Sequence, residues 1–166
     1  MAELKSVIRH LLNSELTLES TIHQADLFLT RQGVLATAQI VEIDTARQKL
    51  RYLNAGHPYP ILRPCDGPPV LLTEGHRPML GLGTETSDVT AADVPLTAGD
   101  LLLLYTDGLI ERRTRHIQQC MSDLMSAVST IQEHSMSDLL DQVLAICSTF
   151  ENRADDDIAL IAVRCL

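Results

Sequence analysis

The stretch "LLLLYTDGLIERR", Leu101 to Arg113, decides how the rest of this sequence is interpreted. Four leucines and a tyrosine in succession are typical of a strand buried on both faces, although a buried helix segment has a similar pattern. The turn signals Gly99-Asp100 and Asp107-Gly108 bound the run on either side, and they favour the strand. We therefore expect Asp107 to lie at the rim of a sheet, where a core strand ends.

The composition limits the classes of protein to which the chain can belong. Its 166 residues are most simply one domain, 1–166, with enough chain to bury a substantial core. Aromatic residues make up only 3%, so surfaces on which bases could stack are scarce. The formal net charge of -9 argues against nucleic acid as a partner, because binding the phosphate backbone requires clustered Lys and Arg.

The cysteines and the N-terminal segment indicate the compartment. The four cysteines lack the short paired spacings of a zinc site or a redox motif, and they suit a reduced, cytoplasmic protein. Charges at Glu3, Lys5 and Arg9 interrupt every apolar run near the start. The segment is therefore predicted to be neither a signal peptide nor a membrane span, and we expect no membrane partner.

Hydrophobic periodicity predicts an α+β fold with a largely antiparallel sheet. Helical spacing opens the chain, and Gly33 stops it. Strands in hairpins then follow up to the leucine run, and a helical pair and a last strand complete the chain. The predicted strands are "VLATAQIVEID", "QKLRYLNAG", "YPILRP", "PPVLLTE", a segment from Asp88 to Leu96, the leucine run and "DDIALIAVRCL". The stretch "EGHRPMLGLGTE" is predicted to be a loop.

Carboxylates are expected to converge at one end of these strands. Asp107 follows one strand, and Asp155, Asp156 and Asp157 directly precede another. If the two strands are neighbours, the like charges repel unless some are protonated or a cation joins them. Oxygen ligands select hard ions such as Mg²⁺ or Mn²⁺, which can activate water to attack phosphorus. The alternative is that the Asp-Gly pair is only a turn and the acidic run only a solvated loop.

Four motifs together resemble a known family. "YLNAGHPYPIL", "HRPMLGLG", "AGDLLLLYTDGLIERR" and "DDIALIAV" occur in the order and approximate spacing of the SpoIIE/RsbU branch of the metal-dependent PPM protein phosphatases. The resemblance implies an α-β-β-α sandwich with a binuclear Mn²⁺ or Mg²⁺ centre. It also implies a bacterial signal-transduction hydrolase that acts on phosphoserine or phosphothreonine of a regulatory protein, such as an anti-anti-sigma factor.

The resemblance also assigns site residues. It implies that Asp107 is the metal ligand of the Asp-Gly motif and that Asp156 is the ligand of the C-terminal Asp-Asp-Ile motif. Gly108 and Asp157 would be accessory to them. The leucine strand would then serve to anchor a carboxylate that helps to hold the metal.

The chain departs from this family at its start. Members of the branch carry an upstream strand with a Gly-Asp motif whose aspartate bridges both metals, and nothing in this sequence matches it. We therefore expect an N-terminally truncated domain with half a metal site and weak or absent activity by itself. The alternative function is a catalytically inactive phosphatase-like module that acts by binding other proteins. An exposed sheet edge could also promote self-association.

Three further residues are weaker candidates. His57, in "NAGHPYP", could protonate a leaving group, but a histidine between Gly and Pro more often fixes a turn. Arg112 and Arg113 follow the Asp-Gly turn closely enough to contact a phosphate. The alternative for this pair is an exposed helix start that balances the acidic surface.

Overall fold

The computed structural model describes residues 9, 16–83, 89–111, 115–131, 135–148 and 157–166, except for the side chains of 146–148. These residues belong to two compact units. The first unit comprises Met1–His57 and Thr73–Pro95, and the second comprises Pro58–Leu72 and Leu96–Leu166. Each unit contains its own four-stranded sheet.

Helix α1 (Leu18–Gln32) is the described helix of the first unit. Thr17 caps its start, because the hydroxyl oxygen accepts the N–H of Ser20. Gly33 ends it in the left-handed conformation, with φ of 63°, as the sequence predicted. Leu18, Ile22, Ala25 and Leu29 recur at helical spacing and are buried, so one face of the helix enters a core.

The sheet of the first unit is built around β2. Its strands are β1 (Ala38–Asp44), β2 (Lys49–Ala55), β5 (His76–Arg77) and β6 (Ala92–Pro95). β1 and β6 pair with β2 in antiparallel fashion, and β5 pairs with it in parallel. The core that α1 enters includes Ile40, Leu53, Ala55, Leu80 and Ala91.

The sheet of the second unit has the order β4-β3-β7-β8, and all its pairs are antiparallel. Its strands are β3 (Ile61–Arg63), β4 (Val70–Leu71), β7 (Leu101–Tyr105) and β8 (Leu160–Arg164). β7, the predicted leucine strand, is central and almost fully buried. The prediction that this run is a buried strand is confirmed.

Two helices accompany the sheet of the second unit. They are α2 (Ile117–Thr130) and α3 (Met136–Ser148). The hydroxyl oxygen of Ser135 accepts the N–H of Asp138 and so caps the start of α3. Leu124 and Val128 of α2 and Leu139 of α3 share a core with Leu101 and Leu103 of β7. None of the described helices has the length and apolar character needed to cross a membrane.

The observed elements follow most of the sequence pattern and correct it in two places. The two hairpins and the three described helices lie where periodicity placed them, whereas the helical pattern before Leu16 lies, except for Arg9, outside the described residues. The predicted loop "EGHRPMLGLGTE" contains a short strand, β5. The strand predicted from Asp88 to Leu96 is shorter, since its described part begins at Ala92.

Candidate functional site

Asp107 lies just beyond the end of β7, where a short 3-10 turn spans Asp107–Leu109. The Asp107 side chain is half-buried, and its Oδ1 accepts the N–H of Gly108 at 2.9 Å. The Asp107 carbonyl accepts the N–H groups of Ile110 and Glu111 at 2.8 and 2.7 Å. The backbone on either side of the carboxylate is therefore fixed by the buried strand and by the turn.

Thr106 joins this turn to the start of β8. Its hydroxyl donates to the carbonyl of Asp157 at 3.0 Å and accepts the N–H of Ala159 at 2.8 Å. The N–H of Thr106 donates to the carbonyl of Ala159 at 3.0 Å. Asp107 and the exposed Asp157 thus lie at the same end of the paired strands β7 and β8.

Several predicted site residues lie outside the described part of the chain. Asp156, the second predicted ligand, is one of them, and Arg112 and Arg113 are two more. Their roles as metal ligand and phosphate contacts remain predictions. Thr106 was missed by the sequence argument, although a hydroxyl residue directly before an Asp-Gly turn is a usual source of local side-chain bonds to backbone.

The donor chemistry at this rim fits a hard divalent cation. Oδ2 of Asp107 accepts no hydrogen bond from any described residue, so this oxygen can serve as a ligand. Carboxylate oxygens are the preferred donors for Mg²⁺ and Mn²⁺. The described residues contain no group of three or more His, Cys, Asp or Glu placed to hold an ion together, and Asp156 lies outside them.

His57 belongs to the first unit and is held at both its backbone and its ring. Its N–H donates to Oδ1 of Asn54 at 2.9 Å, and its carbonyl accepts from Nδ2 of Asn54 at 2.8 Å. The Nδ1 atom of the ring lies 3.0 Å from the hydroxyl of Thr37. These bonds fit the interpretation that His57 fixes a turn. Asn54, which the sequence argument did not single out, could have been found as an Asn able to bond two or three residues ahead.

The fold of the chain is that of PPM phosphatase domains, also called PP2C domains. The RsbU and RsbW domains of Rv1364c from Mycobacterium tuberculosis match 99% of this chain with a TM-score of 0.85 at 24% identity. The PP2C phosphatase domain of SpoIIE from Bacillus subtilis, solved with a fragment of its regulatory domain, matches 98% with a TM-score of 0.79 at 19% identity. RsbX, solved in complex with magnesium, matches 96% with a TM-score of 0.69 at 17% identity. The predicted fold is therefore confirmed.

Sequence comparison identifies the family. The model of the Stage II sporulation protein E (SpoIIE) family matches residues 1–166, and the chain belongs to this family. The phosphoserine phosphatase RsbP of Bacillus subtilis (strain 168) is 39% identical over 75 residues, which are 45% of this chain. The chain spans 18% of RsbP, 47% of the Mycobacterium structure, 48% of the SpoIIE structure and 71% of RsbX. The predicted family resemblance is confirmed.

Proposed function

We propose that this chain forms part of a metal-dependent protein phosphatase that hydrolyses phosphoserine or phosphothreonine on a regulatory protein. The observation that carries the proposal is the rim at which β7 and β8 bring Asp107 beside the segment that begins at Asp157. Family membership supports it, and so does the name of the relative RsbP, a phosphoserine phosphatase. An anti-anti-sigma factor is the class of substrate that the resemblance to the SpoIIE/RsbU branch implies.

The residues proposed to hold the metal are Asp107 and Asp156, with Asp157 beside them. When bound, Mg²⁺ or Mn²⁺ supplies positive charge that offsets the phosphate oxygens and makes water a better nucleophile toward phosphorus. The role of the protein is to fix the carboxylate, which the turn at Asp107 and the bonds of Thr106 do in advance of binding. The magnesium in the RsbX structure supports a divalent cation, and we propose Mn²⁺ or Mg²⁺ here.

The remaining candidates have subsidiary places in this proposal. Arg112 and Arg113 follow the turn closely in sequence, and their guanidinium groups would contact the phosphate by charge-assisted bonds. His57 remains a weaker candidate for a general acid: its ring Nδ1 lies 3.0 Å from the hydroxyl of Thr37, and Asn54 binds its backbone.

A second candidate function is a phosphatase-like module that binds proteins without hydrolysing phosphate. It is the function that remains if Asp107 and Asp156 are too few carboxylates, because a bridged metal pair needs several of them. Fold alone does not separate the two functions.

Turnover measurements on the purified chain distinguish the two functions. We expect release of phosphate from p-nitrophenyl phosphate or a phosphoserine peptide to be weak and to occur only when Mn²⁺ or Mg²⁺ is present. Asp107→Asn should abolish it, whereas Asp141→Asn, which changes an exposed carboxylate of α3, should not. No turnover with either ion would favour the binding module. Turnover that survives both a chelator and Asp107→Asn would contradict the proposed site.

A further inference from the structure

β8 forms one edge of the sheet of the second unit. Among the described strands it pairs with β7 alone, over all five residues of Leu160–Arg164. The opposite edge is formed by β4, which has only two residues, Val70–Leu71. β8 is therefore the longer edge of this sheet.

Two backbone bonds fix which residues of β8 point toward β7. The N–H of Thr106 donates to the carbonyl of Ala159 at 3.0 Å, and the N–H of Cys165 donates to the carbonyl of Asp100 at 2.9 Å. In an antiparallel pair, residues that exchange such bonds alternate with residues that do not. Ala159 and Cys165 therefore determine that the odd-numbered residues of β8 direct their backbone groups toward β7.

By this alternation, Ile161 and Val163 direct their backbone groups toward β7. Leu160 and Ala162 direct theirs to the opposite side, where no described strand pairs with them. An edge with its N–H and C=O groups directed outward is a ready template for another strand.

The side chains of β8 do little to prevent such pairing. The strand sequence is LIAVR, so its only charge is at its last residue, Arg164, and it has no proline. Ile161 is 56% exposed, so an apolar side chain is available beside this edge. Edge strands that avoid association carry lysine, proline or inward charges instead.

We propose that two copies of this chain associate through β8, which pairs with β8 of the other copy in antiparallel fashion about a two-fold axis at Ala162. Each Ala162 then exchanges N–H and C=O bonds with its equivalent. Ile161 lies across from Val163 of the second copy, on the same face of the joined sheet, where β-branched pairs stabilise association. Leu160 lies across from Arg164, so the two arginines are kept apart.

The second copy is the favoured occupant because the strand is complementary to itself in this register. Ile161 meets Val163, Ala162 meets its equivalent, and the two Arg164 side chains do not oppose each other. Pairing joins two four-stranded sheets into one continuous sheet and covers Ile161. The contact is small, so we expect association that depends on protein concentration.

Amide hydrogen exchange over a range of protein concentrations tests the register directly. We expect Ile161 and Val163 to be protected at every concentration, because β7 holds them. Leu160 and Ala162 should gain protection only as the protein concentration rises. Protection of Leu160 and Ala162 at the lowest concentration would overturn the proposal, because the edge would then be covered within one chain. Lack of protection at any concentration would also overturn it.

A proline substitution provides the matched test by analytical ultracentrifugation. Ala162→Pro removes only the outward N–H, so it should leave the β7–β8 bonds intact and give a monomer. In β2, the N–H groups of Asn54 and Gly56 donate away from β1, to the carbonyls of Gly75 and Arg77. By alternation Tyr52 also faces away from β1, so the backbone groups of its partner in β1, Val41, point outward. Val41→Pro is therefore the control, and it should still associate.

Three outcomes would overturn the proposal: a monomeric unaltered chain at high concentration, association that persists in Ala162→Pro, or association lost equally in Val41→Pro. If Ala162→Pro fails to fold, the exchange measurement on the unaltered chain decides the question alone. Asp107→Asn should leave association unchanged, so failure of this proposal and failure of the proposed phosphatase activity can be told apart.

Discussion

Asp100 holds the turn that leads into β7, and it is 4% exposed. Its carboxylate accepts the N–H of Cys65 at 2.9 Å, the N–H of Thr97 at 2.8 Å and the hydroxyl of Thr97 at 3.0 Å. Burial by itself would raise the pKa of Asp100, but these donors outweigh it and the pKa lies below its ordinary value. The charged form of Asp100 therefore stabilises the fold.

The Asp100→Asn variant tests this contribution. We expect it to lower the free energy of unfolding at pH 7 by about 2 kcal/mol, because an amide cannot accept all three bonds. A pKa that is depressed in the folded state contributes stability above the unfolded carboxyl pKa of about 4, and this stability is lost as the pH falls further. In urea unfolding, the difference in the free energy of unfolding between the unaltered chain and Asp100→Asn should therefore become smaller below about pH 4. A gap independent of pH would show that Asp100 acts only through packing.

At the scale of elements, a buried ion pair ties α1 to β5. Oδ2 of Asp26 accepts from the guanidinium of Arg77, and the two side chains are 10% and 2% exposed. Oδ1 of Asp26 accepts the N–H of Gly81 at 2.6 Å. One carboxylate of the helix thus holds both β5 and the turn beyond it.

Replacing one member of this ion pair should lower the free energy of unfolding more than replacing both members together. Asp26→Asn or Arg77→Met leaves an uncompensated buried charge, and we expect each to cost about 3–5 kcal/mol of unfolding free energy. The double variant should cost clearly less than the sum of the single variants. Arg47→Ala is the control, because its ion pair with Asp44 is screened by solvent and should contribute little to stability. Additive costs in a thermodynamic cycle would show that Asp26 and Arg77 act independently.

The same elements show what sequence patterns can predict. β7 and the position of Asp107 follow from a leucine run and an Asp-Gly pair, which are adjacent in the chain. β5 has only two residues and pairs in parallel, so it is too short for hydrophobic periodicity to predict it. Asp26 and Arg77 are 51 positions apart, and only the packed structure brings them together. The link from Thr106 to Asp157 is likewise a consequence of tertiary pairing. Local signals therefore predicted the carboxylate, and long-range contacts supplied its surroundings.

At the scale of the whole molecule, acidic charge complicates any test of metal binding. The chain carries 22 Asp and Glu against 13 Lys and Arg. Divalent cations can therefore accumulate at its surface without occupying the proposed site. A change in stability on adding Mg²⁺ or Mn²⁺ is informative only when it depends on a particular carboxylate.

Thermal unfolding with matched variants separates specific from diffuse binding of the ions. An ion that binds only the folded chain raises its stability, by about 1.4 kcal/mol at ten times the dissociation constant. We expect millimolar Mn²⁺ or Mg²⁺ to raise the Tm of the unaltered chain and of Asp141→Asn at constant ionic strength. Asp107→Asn should lose this increase, because it removes the carboxylate that the turn after β7 fixes. An equal increase in Asp107→Asn would mean that the ions bind the acidic surface in general, and the candidate site at the end of β7 would have to be abandoned.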